Sequence, residues 1–347
     1  MTGNIRILIF FGIIAGVGLV SHGEDWPMWR YDTGRTASSP EELPRDLHLQ
    51  WLNHYPARTP VWEDPLNQDL MPYDEIFEPI VAGNTVYLGF NDSDKLIALD
   101  LATGEERWAY YCDGPVRLPP VVWQDRVLFI SDDGHLYCLR AADGTLVWKR
   151  RGGPSDRKIL GNSRLISTWP ARGGPVVNEG VVYWAASIWP FMGIFLYAHD
   201  IETGELIWIN DGESARFRQQ PHGGAIAFAN VAPQGPFALS GDALLVAGGR
   251  SVPAVFERST GEFRYYRVAD YNKTGGTFVA AIGDLFFNHY RERVTSVYNL
   301  ENGDAVCPQI GKHPVLSPEM IYLSGPEVTA LDMAAFRRDP ATLEGAR

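Results

Sequence analysis

ATGEERW, residues 102–108, returns as ADGTLVW at 142–148 and as ETGELIW at 202–208. Each copy closes a longer unit: an apolar pair, a tight polar turn, an apolar strand, a variable loop, a second apolar strand, a turn with glycine and an aromatic. Three units are close copies, EPIVAGNTVYLGF with KLIALDLATGEERWAY (78–90 and 95–110), PPVVWQDRVLFISDDGHLYCLRAADGTLVWKR (119–150), and GPVVNEGVVYWAA with IFLYAHDIETGELIWIN (174–186 and 194–210). Looser copies follow at 237–268, 278–306 and 314–336. The position of Tyr87 recurs at Leu128, Tyr183, Leu245, Phe287 and Tyr322, at spacings of 41, 55, 62, 42 and 35 residues. Four short strands repeated about every 40 residues predict the blades of an all-β propeller of four-stranded antiparallel sheets. One such sheet cannot bury both its faces, whereas radially arranged blades bury each against a neighbour. The two long spacings mark insertions.

Within the phrase, Gly104, Gly144, Gly204, Gly261 and Gly303 are expected to take positive φ in the turn between third and fourth strands. Trp108, Trp148, Trp208 and Tyr265 open the outer strand and are expected to cover the seam between blades. Asp100, Asp143 and the group Asn91, Asp92 and Asp94 have the residue types of a calcium site, but they fall where blade turns want side-chain caps.

The 347 residues are 45% hydrophobic and 21% charged, enough for a large core. Thirty basic against 42 acidic side chains give a net charge of −12, so no overall basic field is available for nucleic acid or an anionic membrane. Residues 1–23 carry one positive charge, an apolar run at 7–20 and small residues before Glu24, the pattern of a secretory signal. Fourteen apolar residues fall short of the roughly 20 that a spanning helix needs. The chain is therefore expected to be exported, periplasmic or extracellular, with no membrane span once the signal is removed. Cys112, Cys138 and Cys307 are widely spaced and none lies near the end of the apolar run, so neither a metal cluster nor a lipid-bearing N-terminal cysteine is expected. One disulfide at most is open to them.

The phrase resembles the PQQ-like (pyrroloquinoline-quinone-type) β-propeller repeat, approximately G-x-V-Y followed by D-G-x-L-Y-A-L-D-A-x-T-G-x-x-x-W, over residues 79–336. The stretch DWPMWRYDTGRTASSPEELPRDLHLQW (25–51) also resembles the start of bacterial exported proteins of that family. The resemblance divides the chain into a signal peptide (1–23), an N-terminal segment (24–78) whose residues 47–55 form an orphan outer strand that closes the ring, and a propeller (79–347). It implies at least six blades. Relatives are commonly eight-bladed, and the polar residues 337–347 stand where another outer strand is due. Either the N-terminal strand finishes blade six or the chain is the front of a longer protein.

In a four-strand meander the turns joining strands one to two and three to four lie on one face of the disk, and all other connections lie on the opposite face. The first kind are uniformly short here. The second kind are long and individual, at 151–174, 185–193, 211–235, 247–254, 269–276 and 287–293. That long-loop face gathers Trp169, Arg172, Trp189, Gln220, His222, Arg250, Lys273, Asn288 and His289, aromatic and cationic groups suited to a small anionic or aromatic ligand or to a protein partner. The alternative is that Trp169 and Trp189 pack beneath the loops while the arginines pair with local carboxylates.

No catalytic residue and no metal ligand is assigned. No nucleophile triad order, phosphate-binding glycine loop or HExxH is present. The resemblance leaves open a dehydrogenase using PQQ with calcium, but the chain has no vicinal cysteine pair and no mappable Glu/Asn calcium pair, so no cofactor is expected. The function read from the sequence is an exported ligand- or protein-binding scaffold acting through the long-loop face. The alternatives are a PQQ/calcium-dependent quinoprotein dehydrogenase, or the front module of a larger multidomain enzyme.

Overall fold

The computed structural model describes residues 24–55, 77–161, 164–212, 217–219, 224–228, 230–248, 251–268, 274–290, 294–307, 310–325 and 327–340. The signal sequence read at 1–23 lies outside them.

Six repeat units become six antiparallel sheets. Blade one is β1–β4 (Ile80–Ala82, Thr85–Phe90, Lys95–Asp100, Glu106–Tyr111) and blade two is β5–β8 (Val121–Trp123, Arg126–Ile130, His135–Arg140, Leu146–Arg151). A two-stranded hairpin, β9 and β10 (Lys158–Gly161, Arg164–Ser167), precedes blade three, β11–β14 (Ala171–Asn178, Val181–Ala186, Phe195–Asp200, Leu206–Asn210). A second hairpin, β15 and β16 (Phe217–Gln219, Ile226–Phe228), precedes blade four, β17–β20 (Ala238–Ser240, Ala243–Val246, Ser251–Glu257, Phe263–Val268). Blade five is β21–β24 (Thr274–Ile282, Leu285–Tyr290, Val294–Asn299, Ala305–Cys307). Blade six has three strands, β25–β27 (Lys312–Leu316, Met320–Ser324, Thr329–Asp332), and runs into the helix α1 (Met333–Arg338). The hairpins occupy the two long spacings, so the insertions carry their own secondary structure.

The repeated phrase is the seam between blades. Gly104, Gly144, Gly204, Gly261 and Gly303 have φ between +66° and +74°. At Gly144 a Cβ would sit 2.7 Å from the ring of Trp108, and at Gly204 2.7 Å from Trp148. Each aromatic thus lies flat on the glycine turn of the following blade and donates to a carbonyl there: Trp108 Nε1 to Ala141 at 3.0 Å, Trp148 Nε1 to Ile201 at 2.8 Å, Trp208 Nε1 to Arg258 at 3.0 Å, and Tyr265 Oη to Leu300 at 2.7 Å. The indole satisfies its donor and buries its rings in one contact, an arrangement whose truncation costs about 3–5 kcal/mol. Trp51 makes the same contact with blade one, over Gly104 and onto the Leu101 carbonyl at 2.8 Å, although residues 47–55 pair with no sheet among the described residues.

The N-terminal segment seals the centre of the short-turn face. Trp26 pairs with Val81 of β1 in both directions, and the Val122 amide of β5 donates to Pro27. The chain then doubles back, and amides of Leu239, Ala281 and Leu316, on the innermost strands of blades four, five and six, donate to the carbonyls of Thr33, Gly34 and Thr36 at 2.8, 2.7 and 2.9 Å. Gly34 is obligatory, because a Cβ there would lie 2.5 Å from the Ala281 carbonyl oxygen. Arg35 supplies blade three: its fully buried guanidinium donates to Pro175 (2.9 Å), Phe237 (2.7 Å) and Trp29 (3.0 Å), all backbone carbonyls. Burial lowers its pKa to about 9, opposed by Asp32 and Glu78, so it is charged at neutral pH.

Two outcomes follow from this packing. Arg35→Met strands three buried carbonyls at about 1–3 kcal/mol each, and a fall of at least several degrees in Tm is expected by calorimetry. Buried His199 accepts from Trp184 Nε1 at 3.1 Å through Nδ1, and burial, aided by Arg150, lowers its pKa from 6.5 to about 4. The unfolded chain therefore takes up this proton first as pH falls. Stability should drop between about pH 6.5 and 4 by on the order of 3 kcal/mol, flattening below that window. Urea unfolding of His199→Gln, which keeps an acceptor without the titration, should lack that loss.

Candidate functional site

With the short-turn face plugged, the long-loop face carries the joins between blades one, two and three. The turn 131–134 of blade two lies among them. Gly134, at φ +88°, lets the turn pass beneath Ser167, and neighbouring chain holds it through Asp132 N to Pro115 O at 2.9 Å and Ser167 N to Asp132 O at 2.8 Å.

Asp132 is fully buried and both its oxygens are taken by arginines. Arg172, at the start of β11, forks onto it with Nε to Oδ1 and Nη2 to Oδ2, both 2.7 Å, and Arg117 from the blade one to blade two connection adds Nε to Oδ2 at 2.7 Å. Two partly buried guanidinium groups share this one carboxylate and tie three blades together. Beside it, Asp133 accepts from Tyr137 Oη at 2.5 Å and lies 3.3 Å from His135 Nδ1. Burial would raise the Asp133 pKa, but bonds from His135 and Tyr137 outweigh it and the net shift is downward. Cys112 is pushed up to about 12, by burial and then by Asp133, which makes it an inert thiol. None of the three cysteines forms a disulfide.

The residues grouped from sequence separate into distinct environments. Arg172 pairs with the local carboxylate Asp132. Trp169 is buried, packed against Gly153 and donating from Nε1 to the Met192 carbonyl at 2.8 Å, which ties the first insertion to the loop of blade three. Trp189 is exposed and tilts against Phe191 beside the 3₁₀ turn Pro190–Met192. Asn288 and His289 were read as loop residues but belong to β22, and Asn288 is fully buried with Nδ2 3.4 Å from the Ser251 carbonyl. Asn288 pairs with Ser296 where blades two and three place the stacked pairs Phe129–Tyr137 and Trp184–Tyr197. Gln220, His222, Arg250 and Lys273 lie outside the described residues.

Sequence reasoning missed Arg117, Asp132, Asp133 and His135. SDDGH reads as ordinary turn chemistry, and only the doubled aspartate before the glycine distinguishes it from its counterparts. The proposed turn caps are seen directly: Asp100 Oδ1 accepts from the Ala102 and Thr103 amides, Asp143 Oδ1 from Thr145, and Asp200 Oδ1 from Thr203. Among the described residues no three His, Cys, Asp or Glu side chains converge as metal ligands.

Asp132→Asn removes the buried carboxylate that the Arg117 and Arg172 guanidinium groups share. It should cost about 3–5 kcal/mol in denaturant unfolding. Arg172→Lys, which keeps charge but loses the fork, should cost measurably less.

Comparison with known proteins places this architecture. Residues 52–180 match the family model described as outer membrane protein assembly factor BamB. The dehydrogenase subunit of a quinone alcohol dehydrogenase from Gluconobacter oxydans is 31% identical over 142 residues, covering 38% of this chain and 18% of the relative. The chain thus matches under a fifth of the curated relative's length. BamB from Moraxella catarrhalis superposes with a TM-score of 0.54 at 19% identity, over 74% of this chain and 72% of that one. The quinohemoprotein alcohol dehydrogenase from Comamonas testosteroni gives 0.56 at 18% identity, over 90% of this chain and 52% of that one. These likenesses establish the fold. With the repeats, seams and blades above, they show a β-propeller whose residues 52–180 resemble the PQQ-like repeat family.

Proposed function

We propose that this is an exported binding module that takes a protein or a small anionic ligand on its long-loop face. The observation that carries this reading is the asymmetry of the disk. One face is sealed by residues 26–36 and uniform turns, whereas the other holds the arginines around Asp132 and the insertion hairpins. The family match to an assembly factor supports a scaffold. The proposed export rests on the pattern of residues 1–23 and agrees with the described residues, where no helix is long and apolar enough to cross a membrane.

The quinoprotein reading draws support from the Gluconobacter oxydans relative. Calcium needs several oxygen donors, yet the buried carboxylate of Asp132 already spends both oxygens on arginines, and among the described residues no three His, Cys, Asp or Glu side chains cluster. The described residues do not fit a calcium-held quinone, and no catalytic step is derived through one.

Two measurements separate the readings. Immobilised protein should capture a partner from extracts of the source cell, and Arg250→Ala and Lys273→Ala should weaken capture severalfold at unchanged Tm. Arg172→Ala should weaken it too, with a parallel loss of stability through Asp132. Intact capture by all three variants counts against this face. PQQ titration with and without calcium, followed by tryptophan quenching, should show no saturable signal; calcium-dependent saturation would establish the quinone reading instead.

A further inference from the structure

The hairpin β9–β10 belongs to no blade and has one face covered and one face open. Ile159 pairs with Ile166 on the inner face, where Ile166 is buried, while Leu160 pairs with Leu165 on the outer face at 69% and 64% exposure. Two leucines standing side by side on an ordered strand pair bring no benefit to an isolated chain. The hairpin is anchored at both ends. Thr168 N and Oγ1 donate to the Arg157 carbonyl at 2.8 and 3.0 Å, and Arg164 reaches across to blade one, onto the Asn91 carbonyl at 2.6 Å and the Asp94 carboxylate. It is therefore a fixed platform.

Its charge is opposite to that of the molecule. Residues 149–164 hold Lys149, Arg150, Arg151, Arg157, Lys158 and Arg164 against the single acid Asp156, in a chain of net charge −12. Arg150 is occupied by the carbonyls of Thr203 and Gly204, Arg151 by Asp156 and Arg164 by Asp94. Arg157 and Lys158 are exposed, make no ion pair among the described residues, and Lys158 shares the outer face with Leu160.

We infer that the outer face of β9–β10 docks an extended polypeptide segment that presents acidic and aliphatic side chains together on one face. The aliphatic groups cover Leu160 and Leu165, and the acidic groups meet Arg157 and Lys158. A strand surface suits an extended segment, whose side chains alternate with the same period of two. A lipid surface fits less well, because this face offers only two leucines beside charged side chains, far less apolar area than an interfacial segment buries. This inference rests on the binding reading of the long-loop face and names a partner chemistry for one part of it.

The test is fluorescence anisotropy of the full chain with labelled octapeptides in which every second residue is Ser and the remaining positions alternate Glu and Leu, Lys and Leu, or Glu and Ser. The Glu/Leu peptide should bind with a salt-sensitive Kd, and the other two at least about tenfold more weakly. Leu160→Ser with Leu165→Ser should lose about tenfold, and Arg157→Glu with Lys158→Glu should reverse the preference toward the Lys/Leu peptide. These positions are exposed, so Tm should be unchanged. Equal binding of all three peptides, unchanged binding by the double variants, or sedimentation with phosphatidylethanolamine/phosphatidylglycerol vesicles in place of peptide binding would each overturn the inference. If the peptides fail while Arg250→Ala and Lys273→Ala still lose captured partner, the face stands and its assignment to this hairpin falls.

Discussion

The Arg35 guanidinium is the constraint on which the rest of the molecule depends. A propeller leaves the inner edges of all its blades pointing at a common axis, each with backbone groups that need partners. Here one short segment supplies them. Backbone carbonyls of residues 26–36 accept from blades one, two, four, five and six, and the Arg35 side chain reaches the remaining blade and its neighbour through Pro175 and Phe237. The segment must turn sharply to do so, and Arg30, Tyr31, Arg35 and Ala37 all take positive φ, a conformation that non-glycine residues hold only when their surroundings over-determine it.

Sealing one side decides where function can sit. The short-turn face carries the plug and the regular seams, in which each aromatic lies on the next glycine turn. Variation is confined to the opposite face. There the arginines around Asp132 perform for blades one to three what Arg35 performs at the other end of the axis, with a side-chain carboxylate as acceptor in place of carbonyls. Charge appears at both ends because an arginine fork can satisfy several acceptors that diverging blades cannot bring within reach of one another.

Part of the exposed apolar surface lies outside this framework. Trp189, Phe191, Leu160 and Leu165 belong to insertions, where the repeat asks for no apolar residue. The hairpin bearing the two leucines is also locally cationic and rigidly anchored, the combination expected of a recognition surface rather than of a connection. An assembly factor and quinone dehydrogenases share the fold, so the fold alone does not choose between scaffold and enzyme.

Much of the architecture was legible in the sequence. The blades, the glycine turns, the seam aromatics, the turn-capping aspartates and the face that gathers the long loops all follow from a repeated local pattern, because strand period and turn chemistry are properties of neighbouring residues. Trp51 shows the reach of that rule, since it could be placed as an outer-strand aromatic from its surroundings and lies over Gly104 as its counterparts do. What tertiary structure alone decided are the contacts between residues far apart in the chain: Arg35 on Pro175 and Phe237, Arg117 and Arg172 on Asp132, and Arg164 on Asp94. It also moved Asn288 from a loop into a buried strand. An arginine carries no local signal of which distant acceptor it will meet. The sequence by itself determined the repeated sheet and its seams, and the closing of the axis around buried charge was decided only when six blades were brought together.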